Sequence, residues 1–557
     1  MLKKRDFLVI ASLCIILFVF FLAFSPAMYS GDFRVDEKQV ITRNEQTDSS
    51  ATALVREDGV HYSVAVIGGT KAVVDIAANT LKWMQVPYGV YDKITDVRGE
   101  KMAVITDIAI SADDIAAIKA YLSQGGNVIF SALPDELNDE LRELLGIKNH
   151  GGDFAVVGFT VYDGMFINGT QHNPDYAFVN TGVELYARTK ILANGYAEAV
   201  KKEIAEGPIK AEYPHKNPLI WRAVYESGEI YVVNAPFMAE SSGSGILAGI
   251  LALHYQDFIY PIVGTKTVAL KNFPYVADIY YPASARTTFG YTRDTIWPSL
   301  LSTAKNLELL YSCYTTGHFR ESWEAETTIT FILEELYRLN RGELAYQFTD
   351  TELLEKDLAY LAEYFPELNI YGLLEMPPQI WDSVTSINMS DTNIDNTVNG
   401  FEWVNDMAVT LPVTGRGINI DESTFAFESF VTAFGFAMHE VDLEPVYLFE
   451  DGAAQYMRDV SDKLSALFLG RNYLKEYSAR GAAEQVKSYL NLQAMANYRA
   501  DGISVALAGN DGSVKFILRT ARNIDRRRSE GFTFEKIGDE VYLLIADGDE
   551  ISVVFKH

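Results

Sequence analysis

Cysteine is scarce in this chain, and its scarcity excludes two kinds of structure. The 557 residues contain two cysteines, Cys14 and Cys313. Cys14 lies in an apolar run and Cys313 in a predicted strand, so we do not expect them to pair, and no disulfide framework can hold the fold. The sequence has no CxxC pair and no Cys/His cluster, which are the usual signatures of a structural zinc site.

Positive charge is also in short supply. The chain has 47 Lys and Arg against 75 Asp and Glu, a formal net charge of −28. Such a surface repels nucleic acid and anionic lipid headgroups, so we expect no nucleic-acid partner. It attracts cationic partners, for instance a polymer that carries free amines, although the same charge can serve solubility alone. A hydrophobic content of 48% with 22% charged residues indicates a globular protein with large cores.

The N-terminus carries the longest apolar run. Lys3, Lys4 and Arg5 precede Phe7 to Phe24, eighteen residues interrupted by Ser12. A helix of this length spans about 27 Å, close to one hydrocarbon core. The following FSPAMYSGD is a poor cleavage site, so we expect an uncleaved, single-pass anchor over residues 1–29. The basic cluster predicts a cytoplasmic N-terminus and an extracellular bulk, and an exported chain without disulfides favours a bacterial source.

Beyond this anchor, patterning predicts an α/β protein. Residues 30–59 are polar and aperiodic, which indicates a linker. Residues 60–262 alternate strands (HYSVAVIGGT, KMAVITDIA, NVIFSAL) with helices (VVDIAANTLKWMQV, ADDIAAIKAYLSQGG). This alternation predicts a parallel sheet, with a β-rich insertion near residues 150–225.

This region resembles the class I glutamine-amidotransferase-like, flavodoxin-like domains, through YLSQGGNVIF in particular. Enzymes of that type place a nucleophilic cysteine on a tight turn after a strand, and this region has none. Gly68-Gly69 could cradle a phosphate at a helix N-terminus. Because no full GxGxxG follows, a structural turn is the favoured interpretation.

Residues 263–492 repeat a strand–helix pattern six or seven times, which predicts a (β/α) barrel, complete or one strand short. Residues 495–557 predict a small β domain. Within it, Asn510-Asp511-Gly512 and Asp547-Gly548-Asp549 each separate two alternating apolar segments, a pattern typical of hairpins.

The predicted barrel resembles the polysaccharide deacetylase (NodB-type) superfamily, and is similar to membrane-anchored proteins of Pel-like exopolysaccharide systems. The resemblance rests on four segments of the chain: VALKNFPYV at Val268–Val276, GELAYQFTD at Gly342–Asp350, FGFAMHE at Phe434–Glu440, and EYSARGAAEQVKSYL. In the superfamily the first strand ends in a pair of carboxylates, the third carries two histidines, and the last ends in a catalytic histidine.

This resemblance implies metal-dependent deacetylation, in which a divalent ion activates water and carboxylate and imidazole side chains move protons. Here Lys271 and Asn272 stand at the carboxylate positions, and Gln347, near Thr349 and Thr351, stands where the histidine pair would be. A lysine opposes the binding of a cation, and His439 is the motif residue that remains. We therefore expect a degenerate barrel without a metal cofactor.

A rebuilt metal site is the alternative. Asp294, His318 and His439 could meet at the C-terminal rim of the barrel and hold Zn²⁺ or another divalent ion, with Asp294 and His439 catalytic. Equally, Asp294 could cap the helix at Trp297-Pro298, and His318 could be an exposed turn residue.

A glycosidase is a further alternative, because it needs two carboxylates about 5–10 Å apart. The candidates are numerous in so acidic a chain: Glu375, Asp382, Glu402, Asp421 and Glu440. Trp297, Trp381, Trp403 and Tyr447 could stack on sugars or belong to the core, and Arg416 could bind an anion or form a salt bridge.

These observations lead to one hypothesis. The chain is an anchored extracellular protein of exopolysaccharide synthesis or export that binds or guides polymer, with a cationic amino-sugar polymer and an export complex as partners. The substrate-binding residues are expected to be Lys271, Asn272, Gln347, Trp297 and Arg416. An active deacetylase or glycoside hydrolase with non-standard site residues is the competing hypothesis.

Overall fold

The structure is a computed structural model that describes residues 62–556, with gaps. The gaps are residues 108, 174–175, 198–215, 278, 282–284, 318–321, 348–350, 365–371, 375–385, 390–399, 404–405, 407, 420–421 and 510–511. The predicted anchor and linker lie outside the described residues. Within the described part of the chain, no helix is long and apolar enough to cross a membrane.

The first sheet has nine strands and is parallel on one side. Its parallel strands are β1 (Val64–Ile67), β2 (Tyr88–Tyr91), β3 (Met102–Ile105), β4 (Asn127–Phe130) and β11 (Gly228–Val233), in the order β2-β1-β3-β4-β11. Strands β1, β3 and β4 are buried along their whole length, as expected for strands covered by helices on both faces. The covering helices are α1 (Lys71–Trp83), α2 (Ala112–Ser123), α3 (Asp139–Leu144) and α4 (Gly243–Tyr255).

The β-rich insertion extends this sheet with antiparallel strands. They are β6 (Gly158–Val161), β7 (Gln171–Asn173), β9 (Lys190–Tyr196) and β10 (Lys216–Tyr225), in the order β11-β10-β9-β6-β7. A separate pair, β5 (Ile147–Val156) and β8 (Phe178–Leu185), is also antiparallel.

The second large sheet is parallel throughout. Its strands are β13 (Thr265–Lys271), β16 (Tyr311–Thr315), β17 (Gly342–Gln347), β18 (Gly372–Leu374), β19 (Ser386–Met389), β20 (Val409–Pro412), β21 (Gly415–Arg416) and β22 (Phe436–Asp442), with β23 (Lys475–Glu476) beside β13. The order is β20-β19-β18-β17-β16-β13-β22-β21. Its two end strands, β20 and β21, are separated in the chain by residues 413–414 alone.

Helices and a short hairpin connect these strands. The hairpin is β14 (Tyr280–Tyr281) with β15 (Arg286–Thr287); the helices are α5 (Thr288–Tyr291), α6 (Trp297–Leu307), α7 (Trp323–Leu339), α8 (Thr351–Tyr364), α9 (Glu422–Phe434), α10 (Glu444–Leu448) and α11 (Glu450–Phe468).

The connecting helices pack on one face of the second sheet. On that face Tyr311 Oη donates to the Leu300 carbonyl of α6 at 2.9 Å, and Tyr346 Oη donates to Asp357 of α8 at 3.0 Å. The opposite face meets the N-terminus of α12 (Ala479–Asn491), where Ser312 Oγ accepts from Ala479 N at 2.7 Å. The N-terminus of α12 therefore meets the face of the sheet opposite to α6 and α8.

Two smaller antiparallel sheets complete the fold. The first joins β12 (Phe258–Ile262), β26 (Val514–Arg519), β28 (Val541–Ala546) and β27 (Phe532–Gly538); the second joins β24 (Gln493–Arg499), β25 (Gly502–Ala508) and β29 (Glu550–Val554). The two predicted hairpins are wrong: β25 and β26 lie in different sheets, and so do β28 and β29. Their apolar faces pack together in one core instead, Val505 and Ile551 with Phe516 and Leu544. The mixed α/β class is confirmed.

Candidate functional site

Polar side chains gather where the strands of the second sheet end. Lys271, the last residue of β13, is level with Tyr314 of β16 and Asp442 of β22. Because side chains alternate along a strand, these residues share a face with Gln347, Arg416 and Glu440. Parallel strands end at the same edge. We call this set the strand-end site: Lys271, Tyr314, Gln347, Arg416, Glu440 and Asp442.

Asn272 fixes one border of the strand-end site. It is buried, its φ is 54°, and its Nδ2 donates to Asp442 Oδ1 at 2.8 Å. The same Asp442 oxygen accepts from Glu444 N at 2.9 Å. Asparagine tolerates left-handed backbone better than most residues, so the side chain both permits the turn and ties the end of β13 to the end of β22.

The strand-end site contains charges of both signs. Arg416 Nε lies 3.7 Å from Glu440 Oε1, and the partly buried Lys271 lies beside Asp442 in the sheet. Gln347 Oε1 is buried and has no hydrogen-bond partner among the described residues. This arrangement suits a ligand with several hydroxyl or amide groups, which can both donate and accept hydrogen bonds.

His439 lies on the opposite face of β22. It is fully buried, its Nε2 lies 2.8 Å from the Gly417 carbonyl oxygen, and its Nδ1 has no partner in the described structure. Burial lowers its pKa to about 3, against the hydrogen bond to Gly417, which raises it. The imidazole is therefore neutral at ordinary pH, and Nε2 is the protonated nitrogen that donates to the carbonyl.

Asp294 is engaged by arginines. Its carboxylate lies 2.6 Å from Arg293 Nε and 4.0 Å from Arg286 Nε. The hydrogen bond from Arg293 is the main reason that its pKa is lowered, and burial opposes this. His318 lies outside the described residues, so the set Asp294, His318 and His439 stays a prediction.

The residues at this edge do not fit the metal that the deacetylase resemblance implies. At the end of β13, Lys271 supplies a cation and Asn272 supplies an amide whose Nδ2 is already directed at Asp442. Over the described part of the chain, no group of three His, Cys, Asp or Glu could hold a metal ion. The described donor set is thus one for polar organic groups, not for a divalent cation.

Two of the aromatic side chains considered from sequence are enclosed. Trp297 is 1% exposed, its Nε1 donates to Glu335 Oε2 at 3.1 Å, and its ring stacks near Phe273. Tyr447 is 0% exposed and stacks on Tyr275 at 5.0 Å. Glu375, Trp381, Asp382 and Asp421 lie outside the described residues. Neither enclosed ring offers a face to a ligand in this structure.

Sequence reasoning missed three exposed rings that follow strand ends of the second sheet. Tyr280 is 63% exposed, Trp323 is 69% exposed and Phe449 is 67% exposed. They follow the ends of β13, β16 and β22, which are neighbours in the sheet. We call Tyr280, Trp323 and Phe449 the aromatic rim. Their signal in the sequence is an aromatic residue seven to nine positions after each strand end.

The Gly68-Gly69 turn is occupied by the protein itself. Gly69 N donates to Asp107 Oδ1 at 2.8 Å, and Gly68 has φ of 110°. A Cβ at position 68 would lie 2.5 Å from the Asp107 carboxylate. A carboxylate already fills the position a phosphate would take, so this glycine pair serves as a structural turn.

The comparisons with solved structures extend the resemblance to most of the chain. Agd3, described as a novel carbohydrate deacetylase, is similar in structure, with a TM-score of 0.55 and 10% sequence identity. The alignment covers 90% of this chain and 99% of the Agd3 chain. The similarity to a deacetylase is thereby confirmed for the fold. The exo-β-1,4-mannosidase Op5Man5 from Opitutaceae bacterium strain TAV5 matches 35% of this chain and 34% of its own, with a TM-score of 0.24 and 15% identity. No family model and no curated protein sequence matches this chain.

Proposed function

We propose that this chain is a carbohydrate-binding protein that holds polysaccharide across the strand-end site and the aromatic rim. The observation that carries the proposal is that three exposed rings follow the ends of β13, β16 and β22, two of which end in the charged residues Lys271 and Asp442. Sugars present apolar ring faces that suit aromatic side chains, and hydroxyls that suit mixed donors and acceptors. Agd3 supports the proposal through its fold.

A closed barrel gives this site its shape. The strands β20 and β21 are separated by residues 413–414, and they form the two ends of the sheet order. One continuous segment of chain thus borders both ends of the parallel sheet. On this proposal the eight strands from β20 to β21 in the sheet order form a (β/α) barrel, and the strand-end site lies at its C-terminal rim, where such folds carry their ligands.

The proposal includes binding without deacetylation. Lys271 and Asn272 hold the positions at which the deacetylase superfamily needs carboxylates, and the described residues offer no metal site. The wider setting is an extracellular protein, anchored through residues 1–29, within a machinery for exopolysaccharide synthesis or export. Zn²⁺ held by a set that includes His318 is the metal-dependent alternative.

A glycoside hydrolase is the second candidate. Glu440 and Asp442 share a face of β22, and the Cα atoms of residues two apart on a strand are about 6.6 Å apart, which brings the two carboxyl groups within reach of one ligand. Carboxyl groups about 6.5–9.5 Å apart suit an inverting mechanism. Release of reducing ends by the purified chain, abolished by both Glu440→Gln and Asp442→Asn, would favour this candidate over binding alone.

The proposed function is tested on one helix. Trp323 begins α7 and Tyr337 lies near its end, 58% exposed; fourteen residues of helix separate them by about 21 Å. We expect Trp323→Ala to weaken binding of partly deacetylated chitin oligomers about fivefold, since one aromatic contact contributes about 1 kcal/mol. Tyr337→Ala is the matched control and should bind like the parent chain in isothermal titration calorimetry. Equal affinities for the two variants would contradict the proposal.

A further inference from the structure

A second cleft opens away from the strand-end site. Its volume is about 500 Å³, and three distant parts of the chain line it: residues 163–171 of the insertion, residues 466–471 at and after the end of α11, and residues 537–539 at and after the end of β27. Arg519, the last residue of β26, also lines it. The proposed function does not use this cleft.

Arg519 is a buried cation that forms no close ion pair in the described part of the chain. It is 6% exposed, and burial is the main cause that lowers its pKa. Its Nη2 donates to the Gly164 carbonyl at 2.6 Å, and its Nη1 has no hydrogen-bond partner. Among the described residues no Asp or Glu forms an ion pair with it; the Tyr260 hydroxyl and the more distant Glu540 carboxylate interact with it and raise its pKa, against the effect of burial. A buried charge left in this state is costly unless something pairs with it.

Arg471, the other arginine that lines the cleft, has a carboxylate partner inside the protein. It forms an ion pair with the buried Glu428 and donates to the Leu467 carbonyl. Glu428 in turn accepts from Asn168 Nδ2 at 2.9 Å. The charge of Arg471 is thus neutralised inside the protein, and the positive charge that remains for a ligand in this cleft is that of Arg519.

The mouth of the cleft has a different character from its floor. Asp163 and Asp539 line it and are exposed, and Gln171 lies beside them. Exposed carboxylates are screened by solvent, so they repel an anion weakly, whereas a buried guanidinium attracts it strongly. Carboxylate and amide oxygens at the mouth accept hydrogen bonds from hydroxyl groups. A compact ligand with one anionic group and several hydroxyls can therefore pair with the arginine at the floor and hydrogen-bond to the polar groups at the mouth.

We propose that this cleft binds an acidic sugar unit, with its carboxylate directed at Arg519 and its hydroxyls at Asp163 and Asp539. A guanidinium matches a carboxylate through two parallel hydrogen bonds. A volume of about 500 Å³ has room for one or two sugar rings, within the usual range of small-molecule sites. The site would let the chain hold a uronate-containing saccharide independently of the aromatic rim.

The test uses an exposed position at the cleft. Leu469 lines it and is 71% exposed, so a change there leaves the core untouched. Titration calorimetry of the full chain with sodium D-glucuronate should give saturable binding. Leu469→Glu should weaken that binding about threefold and Leu469→Lys should strengthen it about threefold, as expected for one exposed charge beside the ligand, screened by water. Equal affinities for these two variants would overturn the proposal.

Two further binding measurements test which chemical group of the ligand the cleft recognises. D-glucose should bind at least tenfold more weakly than D-glucuronate, and folded Arg519→Gln should lose the difference between them. The control is Arg522→Gln, since Arg522 pairs with Asp257 at 3.1 Å and does not line the cleft. Inorganic phosphate that binds as tightly as glucuronate would overturn the sugar assignment. Binding of glucuronate by Trp323→Ala should match the parent chain, whatever becomes of the proposed function.

Discussion

The hydrogen bond from Asn272 to Asp442 allows the interpretation of the strand-end site to be tested with one substitution. Asn272→Asp keeps the size of the side chain and a residue type that tolerates left-handed backbone. It removes the donor that lies 2.8 Å from Asp442 Oδ1 and puts a second carboxylate there. The substitution also restores a carboxylate of the kind found at the end of this strand in the deacetylase superfamily.

The expected cost follows from that distance. Losing a hydrogen bond to a charged group costs about 1.5–3 kcal/mol, and two carboxylates about 4 Å apart repel by about 4 kcal/mol at an effective dielectric constant near 20. Asp442 is partly exposed, so solvent screens part of the repulsion. We expect a net loss of about 3 kcal/mol at pH 8. Because residues 43–557 form one compact unit, with an unfolding entropy of about 1 kcal/mol/K, the thermal midpoint falls by about 3 °C.

The sign of the pH dependence follows from the proton that the new carboxyl can take up. Its folded pKa is raised above the unfolded value of about 3.9, because the protonated form replaces the lost donor. Its stabilising contribution is therefore fully present below pH about 4 and is lost as the pH rises through the folded pKa. In calorimetry of the full chain, the thermal midpoint of Asn272→Asp should lie slightly below that of the parent at pH 4.5 and further below it at pH 8. For the control, Asn272→Ala, the difference in thermal midpoint from the parent should be the same at pH 4.5 and pH 8. A difference that does not change with pH for Asn272→Asp would refute the reasoning.

Two other predictions concern stability. His439 has its pKa lowered to about 3 by burial, so its contribution is present above the unfolded value of about 6.5 and is lost as the pH falls toward 3. In urea unfolding, His439→Gln should therefore be less stable than the parent chain at pH 8. The difference in the free energy of unfolding between the two should be about 2 kcal/mol smaller at pH 5. A difference that is the same at both pH values would contradict this. Gly68→Ala should cost about 2 kcal/mol, because of its φ of 110° and the nearby Asp107 carboxylate. Gly69→Ala, whose Cβ would meet nothing closer than 4.0 Å, should cost under about 1 kcal/mol, and equal thermal midpoints for the two variants would count against the turn.

Local sequence patterns predicted elements well and their partners less well. The segment VVDIAANTLKWMQV begins two residues after the start of α1 (Lys71–Trp83) and includes the rest of that helix, and NVIFSAL contains β4 (Asn127–Phe130). The reason is that a buried face imposes its own period on a helix or a strand. The hairpins about Gly512 and Gly548 were wrong, since turn residues do not determine which sheet the next strand joins. That choice depends on burial against distant segments, such as β12 (Phe258–Ile262) against β26.

The strand-end site was predictable in part for the same reason. A strand that ends at Lys271 could be recognised from VALKNFPYV, and parallel neighbours bring other strand ends to it. Exposure could not be predicted in this way. Trp297 and Trp323 are both tryptophans near helix starts, yet the first is 1% exposed and the second is 69% exposed. The difference depends on which side of each helix the sheet covers, and this is set by tertiary packing.

The net charge and the strand-end site attract a polymer in different ways. Lys271 and Arg416 stand with Glu440 and Asp442, so the site itself has no strong preference for a cation or an anion. The predicted preference for a cationic polymer therefore rests on the whole surface, with its formal charge of −28. That attraction is screened beyond about 8–10 Å at physiological salt, whereas stacking on Trp323 is not. In 0.5 M salt, amine-bearing and fully acetylated oligomers should therefore bind with similar affinity, while the loss caused by Trp323→Ala stays unchanged. The decrease in affinity caused by Trp323→Ala could instead disappear in 0.5 M salt, together with the difference between the two oligomers. That result would mean that the ring acts through electrostatics and that the aromatic rim does not stack on sugars.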